Sequence, residues 1–133
     1  MIKKPIKAVT EFHNAFGLSV ELKPKADLPS AITELRYNLM KEENEEYLEA
    51  VKSNDLIEIG DALGDMLYIL CGTIISHGFQ DKIEALFDEI QRSNMSKLGD
   101  DGKPIYREDG KVLKGPNYFK PDIEKILKKT NQL

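Results

Sequence analysis

Residues 38–50 read NLMKEENEEYLEA, and they set acidic side chains where an amphipathic helix would place its core. Upstream, Leu28, Ile32, Leu35 and Leu39 recur at spacings of three or four, the pattern of one helix face. Extending that stripe lands on Glu42 or Glu43, then Glu46, then Ala50. These carboxylates fall in line with the core rather than on the solvated back of the helix. The next apolar segment repeats the pattern. In LIEIGDALGDMLYIL, residues 56–70, Asp61 and Asp65 lie one turn apart on one side, and Glu58 sits about one further turn before them.

The link between the two segments, Ser53 to Asp55, is short enough to make them antiparallel neighbours. That arrangement brings Glu42, Glu43 and Glu46 toward Asp61 and Asp65, where Gly60, Ala62 and Gly64 permit close helix approach. Carboxylates crowded into a half-buried site repel one another and resist losing their water. They must take up protons or hold a cation. An all-oxygen donor set suits Mg²⁺, Mn²⁺ or Ca²⁺ rather than zinc. No Glu-x-x-His pair and no EF-hand loop occurs, and His13 and His77 stand apart. Glu45 and Glu49 read as solvated surface, and Glu58 has the spacing of a capping-box partner for Asp55.

Working outward, a first helix is expected over Lys3–Phe16 with Ile6, Val9, Phe12 and Phe16 buried, ending at Gly17. The second helix is expected over Pro29–Lys52. The third is expected over Leu56–Ser76, burying Ile59, Leu63, Met66 and Leu70. A fourth, capped by Asp81, carries the stripe Ile83, Phe87 and Ile90 to about Lys97. The composition then shifts to Gly, Pro, Asp and Lys, and the Asp109-Gly110 pair between IYR and KVL predicts a small β-hairpin. A short closing helix is expected over 121–130. The expected fold is all-α: a four-helix bundle-type core over 1–97, a hairpin segment over 98–120 and a terminal segment over 121–133, in one domain.

Bulk properties limit the function classes. A chain of 133 residues, 41% apolar and 32% charged, suits one soluble domain. A net charge of −4 gives no reason to expect nucleic-acid binding. It divides into 10 basic and 17 acidic groups over residues 1–96, against 9 basic and 6 acidic over 97–133. An acidic body with a basic tail suits a metal-bound polyphosphate. The basic N-terminus lacks the apolar stretch of a secretory signal, and the apolar run around Met66–Ile75 looks too interrupted to span a membrane. Cys71 is the single cysteine, which fits a reducing cytoplasm.

EENEE followed on the next helix by DALGDMLYIL resembles the MazG-like all-α nucleoside triphosphate pyrophosphohydrolases, a superfamily that includes dimeric dUTPases and phosphoribosyl-ATP pyrophosphatases. Their signature is EExxE on one helix and ExxD on the next. Glu42, Glu43, Glu46 and Asp65 match, while the remaining Glu of the signature falls on Ala62. VTEFHNAFG, EIQRSNMSK and DGKVLKGPNYFKPDI extend the likeness over nearly the whole chain.

The resemblance implies hydrolysis of a nucleoside triphosphate such as dUTP or dCTP to the monophosphate and pyrophosphate, with Mg²⁺ or its substitute Mn²⁺. Glu43, Glu46 and Asp65 are then metal ligands, with Asp61 the fourth, or Glu58 in a shifted register, and Glu42 is the general base. Asn94 and Lys97 at the end of the fourth helix, Lys111 and Lys114 on the hairpin, and His13 are candidates for binding substrate; Phe16 and Tyr68 are candidates for flanking the base. A homodimer or homotetramer is expected. Phosphoribosyl-ATP is the alternative substrate, and a non-catalytic helical interaction module on the same fold is the reading from another class.

Overall fold

The structure is a computed structural model and describes residues 2–129. Five helices follow in order: α1 (Lys3–Phe16), α2 (Ser30–Lys52), α3 (Leu56–Ser76), α4 (Ile83–Met95) and α5 (Ile123–Lys128). The chain divides into two compact units, the first ending at Asp81 and the second beginning at Lys82. The expected four-helix core is therefore not one unit: three helices belong to the first and α4 to the second.

In the first unit α3 packs against both α1 and α2. The turn between α2 and α3 is specified residue by residue. Asn54 takes a left-handed conformation (φ 52°), which asparagine tolerates better than most residues. The Asn54 N–H donates to the Val51 carbonyl and the Asp55 N–H to the Ala50 carbonyl, both at 3.0 Å. These two bonds are the Schellman closure of α2. Asp55 then caps α3, its Oδ1 accepting from the Glu58 N–H at 3.1 Å. One residue thus closes one helix and opens the next, and the antiparallel register follows from it.

The other end of α3 is bound by the 18–28 loop. The Glu21 N–H donates to the Ile75 carbonyl (3.1 Å) and the Lys25 N–H to the His77 carbonyl (2.8 Å). Ser19 Oγ donates to Ser76 Oγ (3.0 Å), and Gln80 Nε2 donates to the Glu21 carbonyl (2.7 Å). These bonds satisfy backbone groups that a buried helix end would otherwise leave unpaired.

Burial departs from the expected stripes. On α1 the buried residues are Ile6, Val9 and His13, whereas Phe12 and Phe16 are exposed. On α2 Arg36 is buried and Leu35 exposed; on α3 Ala62, Cys71, Gly72, Ile74, Ile75 and Ser76 are buried, with Leu63 and Leu70 exposed. The cause is close packing at Gly72. A Cβ there would overlap the Arg36 guanidinium and fall 2.8 Å from His13 Nε2. The space that glycine leaves is filled by the Arg36 guanidinium and the His13 ring, so polar groups occupy the seam. Helix α3 also has the length and apolarity of a membrane span, contrary to the expectation from its sequence. It is nonetheless the helix that packs against two others, and it carries Asp61 and Asp65.

In the second unit α4 packs against α5. The buried Glu89 carboxylate accepts from Arg92 at 2.9 and 3.1 Å and from the Asp122 N–H at 2.6 Å. These bonds, Arg92 foremost, hold its pKa below the ordinary value. Arg92 lies over the Phe119 ring at 4.3 Å, and Ser93 Oγ donates to the Phe119 carbonyl at 2.8 Å. Lys82 donates to the Lys129 carbonyl. The start of α4 lacks a side-chain cap, so Asp81 does not serve as expected.

The expected β-hairpin does not form. Among the described residues there is no strand, only an isolated antiparallel bridge between Tyr106 and Val112 around a turn at Gly110 (φ 88°). Both bridge side chains are exposed, and a lone ribbon without a buried face does not extend its pairing. Helix α5 is shorter than expected, and residues 130–133 of the terminal segment lie outside the described residues.

Replacing Asp55 by Ala is expected to lower unfolding free energy by about 1 kcal/mol in urea titration, whereas Asp55→Asn, which keeps the capping oxygen, should lower it less. Equal losses would show that charge rather than capping is what Asp55 supplies.

Candidate functional site

Helices α2 and α3 bring Glu43, Glu46 and Asp65 together. One carboxylate oxygen from each lies within 4.8 Å of the other two. The register explains the meeting, since Glu43 and Asp65 are each eleven residues from Asn54, on opposite arms of the turn. Glu43 Oε2 is buried without a hydrogen-bond partner. The Glu43 pKa is pushed up from 4.5 to about 7, first by burial, then by hydrogen bonding and charge from Glu46, then by the charges of Asp65 and Asp61. An orphaned acceptor beside two more carboxylates calls for a proton or a cation. Hard divalent ions take such all-oxygen sets, so these residues fit one.

Beside the trio lies an open cleft of about 680 Å³, lined by Glu42, Glu45, Glu46 and Glu49 from α2, by Asp55 in the turn, and by Glu58 and Asp61 from α3. Glu46 belongs to both the trio and the cleft. Glu45 and Glu49, which the sequence suggests are plain surface, are cleft walls. Glu58 and Asp55 make only half a capping box: the Asp55 N–H donates to Ala50 instead, and Glu58 lines the cleft. Ala62, where the resemblance asks for a Glu, is buried. Asp61 and Glu58, the two candidates for that missing ligand, both line the cleft, and Asp61 alone of the two acts on Glu43 by its charge.

The remaining candidates are placed differently. His13 is 2% exposed, and its Nδ1 donates to the Ser19 carbonyl at 2.9 Å. That accounts for it as a packing residue rather than a base contact. Phe12 stacks on Phe16 at 4.4 Å and meets Tyr68 edge-on at 5.6 Å. Asn94, Lys97, Lys111 and Lys114 belong to the second unit. There Asn94 is exposed near the end of α4, its carbonyl accepting from the Lys97 N–H at 3.1 Å. The Lys111 N–H donates to Asp109 (3.1 Å), and the Lys114 ammonium sits 4.8 Å from the Tyr118 ring centre.

Arg36 is the residue that the sequence pattern hid. Its Nε donates to Thr73 Oγ1 (3.1 Å) and its Nη2 to the Ile69 carbonyl (2.8 Å). The signal available was its position seven residues before Glu43, on the same helix face.

Two adjoining helices thus present clustered carboxylates beside an open cleft, a donor set that fits a hard divalent cation. The chain belongs to the phosphoribosyl-ATP pyrophosphohydrolase family, which it matches over residues 9–94. It is a nucleotide pyrophosphohydrolase, and enzymes of this family generally work with divalent metals. The chain is also similar to a crystal structure from Exiguobacterium sp. 255-15, provisionally named there an NTP pyrophosphohydrolase. Identity is 26%, 90% of each chain is covered, and the TM-score is 0.47. The comparison with curated proteins gave no match.

The raised Glu43 pKa fixes a pH dependence for the metal-free protein. Between about 4.5 and about 7 the folded state keeps a proton that the unfolded state has lost. This contribution to stability is therefore whole below pH 4.5 and gone above pH 7. In chelator, the melting temperature is expected to fall across that window, and Glu43→Gln should flatten the fall. An unchanged slope in Glu43→Gln would assign the effect to other groups.

Proposed function

We propose that this chain is a Mg²⁺-dependent nucleoside triphosphate pyrophosphohydrolase, acting on a nucleotide such as dUTP or dCTP and releasing the monophosphate and pyrophosphate. The observation that carries the reading is the Glu43, Glu46 and Asp65 trio with its orphaned Oε2, in a chain of this family. Glu43, Glu46 and Asp65 hold the ion, with Asp61 as the fourth acid. When bound, the ion neutralises phosphate charge and polarises the phosphorus centre.

The acid-lined cleft supports a role for Glu42 as general base. A water oxygen forms the new bond to the α-phosphorus, the anhydride bond to the β-phosphate breaks, and a Glu42 carboxylate oxygen takes the water's proton. Pyrophosphate departs with the electron pair. Without cations, a cleft walled by seven carboxylates would repel a triphosphate, so substrate and metal should enter together.

Phosphoribosyl-ATP is the second reading, favoured by the family match itself. Both substrates offer the same anhydride to the same acids and differ in what surrounds the base. Exposed Leu56 and Ile57, each 82% accessible, support the further proposal that the chain works as a homodimer or homotetramer.

The test is pyrophosphate release from a nucleotide panel that includes dUTP, dCTP and phosphoribosyl-ATP, with Mg²⁺, with Mn²⁺ and with chelator. Turnover is expected only with metal. Glu46→Gln and Asp65→Asn should each lower kcat/KM by on the order of 100-fold, about 2.7 kcal/mol of transition-state stabilisation. Silence across the whole panel with metal present would leave the interaction module as the better account.

A further inference from the structure

The seam beyond the acids is unusual for its chemistry. Arg36 is 7% exposed, and its named bonds go to a hydroxyl and a carbonyl rather than to a carboxylate. Burial lowers its pKa from the ordinary value. Burying a guanidinium against neutral acceptors is costly, and apolar residues of like volume commonly pack such a seam as well or better. Its placement suggests what it gives in return.

Arg36 and Gly72 are each eighteen residues from Asn54, just as Glu43 and Asp65 are each eleven. Seven residues separate Arg36 from Glu43 on α2, and seven separate Gly72 from Asp65 on α3. That is about 10.5 Å along each helix. The guanidinium layer and the carboxylate layer therefore belong to one antiparallel register, two turns apart. The layer is tightly fitted. Thr73 Oγ1 accepts from Arg36 Nε and itself donates to the Ile69 carbonyl at 2.9 Å, the same oxygen that accepts from Arg36 Nη2. A Cβ at position 72 would overlap the planar group where it now sits, so any larger residue there must displace it. A slide or roll of α2 along α3 would break both Arg36 bonds, whereas a purely apolar seam would tolerate it. Carboxylates that repel one another push the helices toward such a slide.

We propose that Arg36 is a positioning residue for the metal site: its fork on Thr73 and Ile69 locks the register that holds Glu43 and Glu46 against Asp65. The proposal rests on the reading of the trio as metal ligands. Groups that orient ligands from outside typically change metal affinity by about 10–100-fold when removed.

The experiment titrates the metal-free full chain with Mn²⁺ alone, counting free ion by electron paramagnetic resonance, and records helical circular dichroism and melting temperature on the same samples. Arg36→Met should weaken Mn²⁺ binding about tenfold or more. Arg36→Lys, which keeps the charge but not the fork, should fall between it and the parent chain. Thr73→Val, which removes one acceptor and keeps the volume, should give a smaller loss with the fold intact. If Arg36→Met fails to fold, Arg36→Lys and Thr73→Val carry the measurement. Folded variants with lowered melting temperature but parental Mn²⁺ affinity would overturn the proposal and leave Arg36 a packing residue. A parent chain that binds Mn²⁺ no better than Glu46→Gln would overturn the ligand reading, and the positioning role with it.

Discussion

Carboxylates that share a site of this size repel one another, and the first unit is organised around that repulsion. Glu43 meets the oxygens of Glu46 and Asp65 within 4.8 Å, with one of its own oxygens buried and unpaired. Left to itself the arrangement relaxes by protonation, by separation of the helices or by cation uptake. Protonation shows in the raised Glu43 pKa. Separation is opposed from both sides of the trio along α3. At one end the Asn54–Asp55 turn ties α2 to α3, and at the other the loop over residues 18–28 binds the end of α3. Between that loop and the trio, the Arg36 bonds cross the seam. Cation uptake is the outlet left open, and it is the one that chemistry on a polyphosphate can use.

The division of labour along α3 follows from the same constraint. Its final turns, from Cys71 to Ser76, are almost wholly buried and supply the apolar contacts of the unit. Its earlier turns carry Asp61 and Asp65 and border the cleft. One helix thus has an anchored half and an acidic half. Its overall apolarity is high enough to match a membrane span by composition, and it runs through both halves, with Leu56, Ile57, Leu63 and Leu70 of the acidic half exposed. A helix polar along its whole length would present the acids without holding them close enough to share an ion.

Much of this was legible in the residues, because the informative signals were local. The bounds of α1 and α3 coincide with those read from periodicity and caps, and α2 differs by one residue. The acids announced themselves by falling on a core stripe. What escaped depended on a partner distant in the chain. Arg36 beside Leu35 offers no local reason to bury the charged residue and expose the apolar one. The reason is Gly72, thirty-six residues away, which removes the side chain that would occupy the space. His13 took the place expected for Phe12 through the same gap. Glu45 and Glu49 read as surface because each is solvated, and only the turn at Asn54 makes their solvated side a cleft wall. The hairpin failed for the opposite reason: its turn signal is real, but no buried face extends the pairing beyond one bridge.

The substitution at position 62 has a geometric meaning within this register. Ala62 and Glu46 are each eight residues from Asn54, so position 62 faces the α2 seam directly, and there it is 2% exposed. A glutamate at that point would add a fourth carboxylate to the buried side of the trio. Moving the acid one residue back, to Asp61, turns it by about 100° around the helix axis and shortens the side chain by one carbon. The charge then lies on the cleft wall, where solvent screens it, while still acting on Glu43. The seam keeps a small apolar contact in exchange, which lets α2 and α3 approach where the repulsion is greatest. The repulsive charge is thus divided between a trio in which only the Glu43 Oε2 is fully buried and the cleft wall beside it, and a fourth acid is present without a carboxylate at the buried position 62.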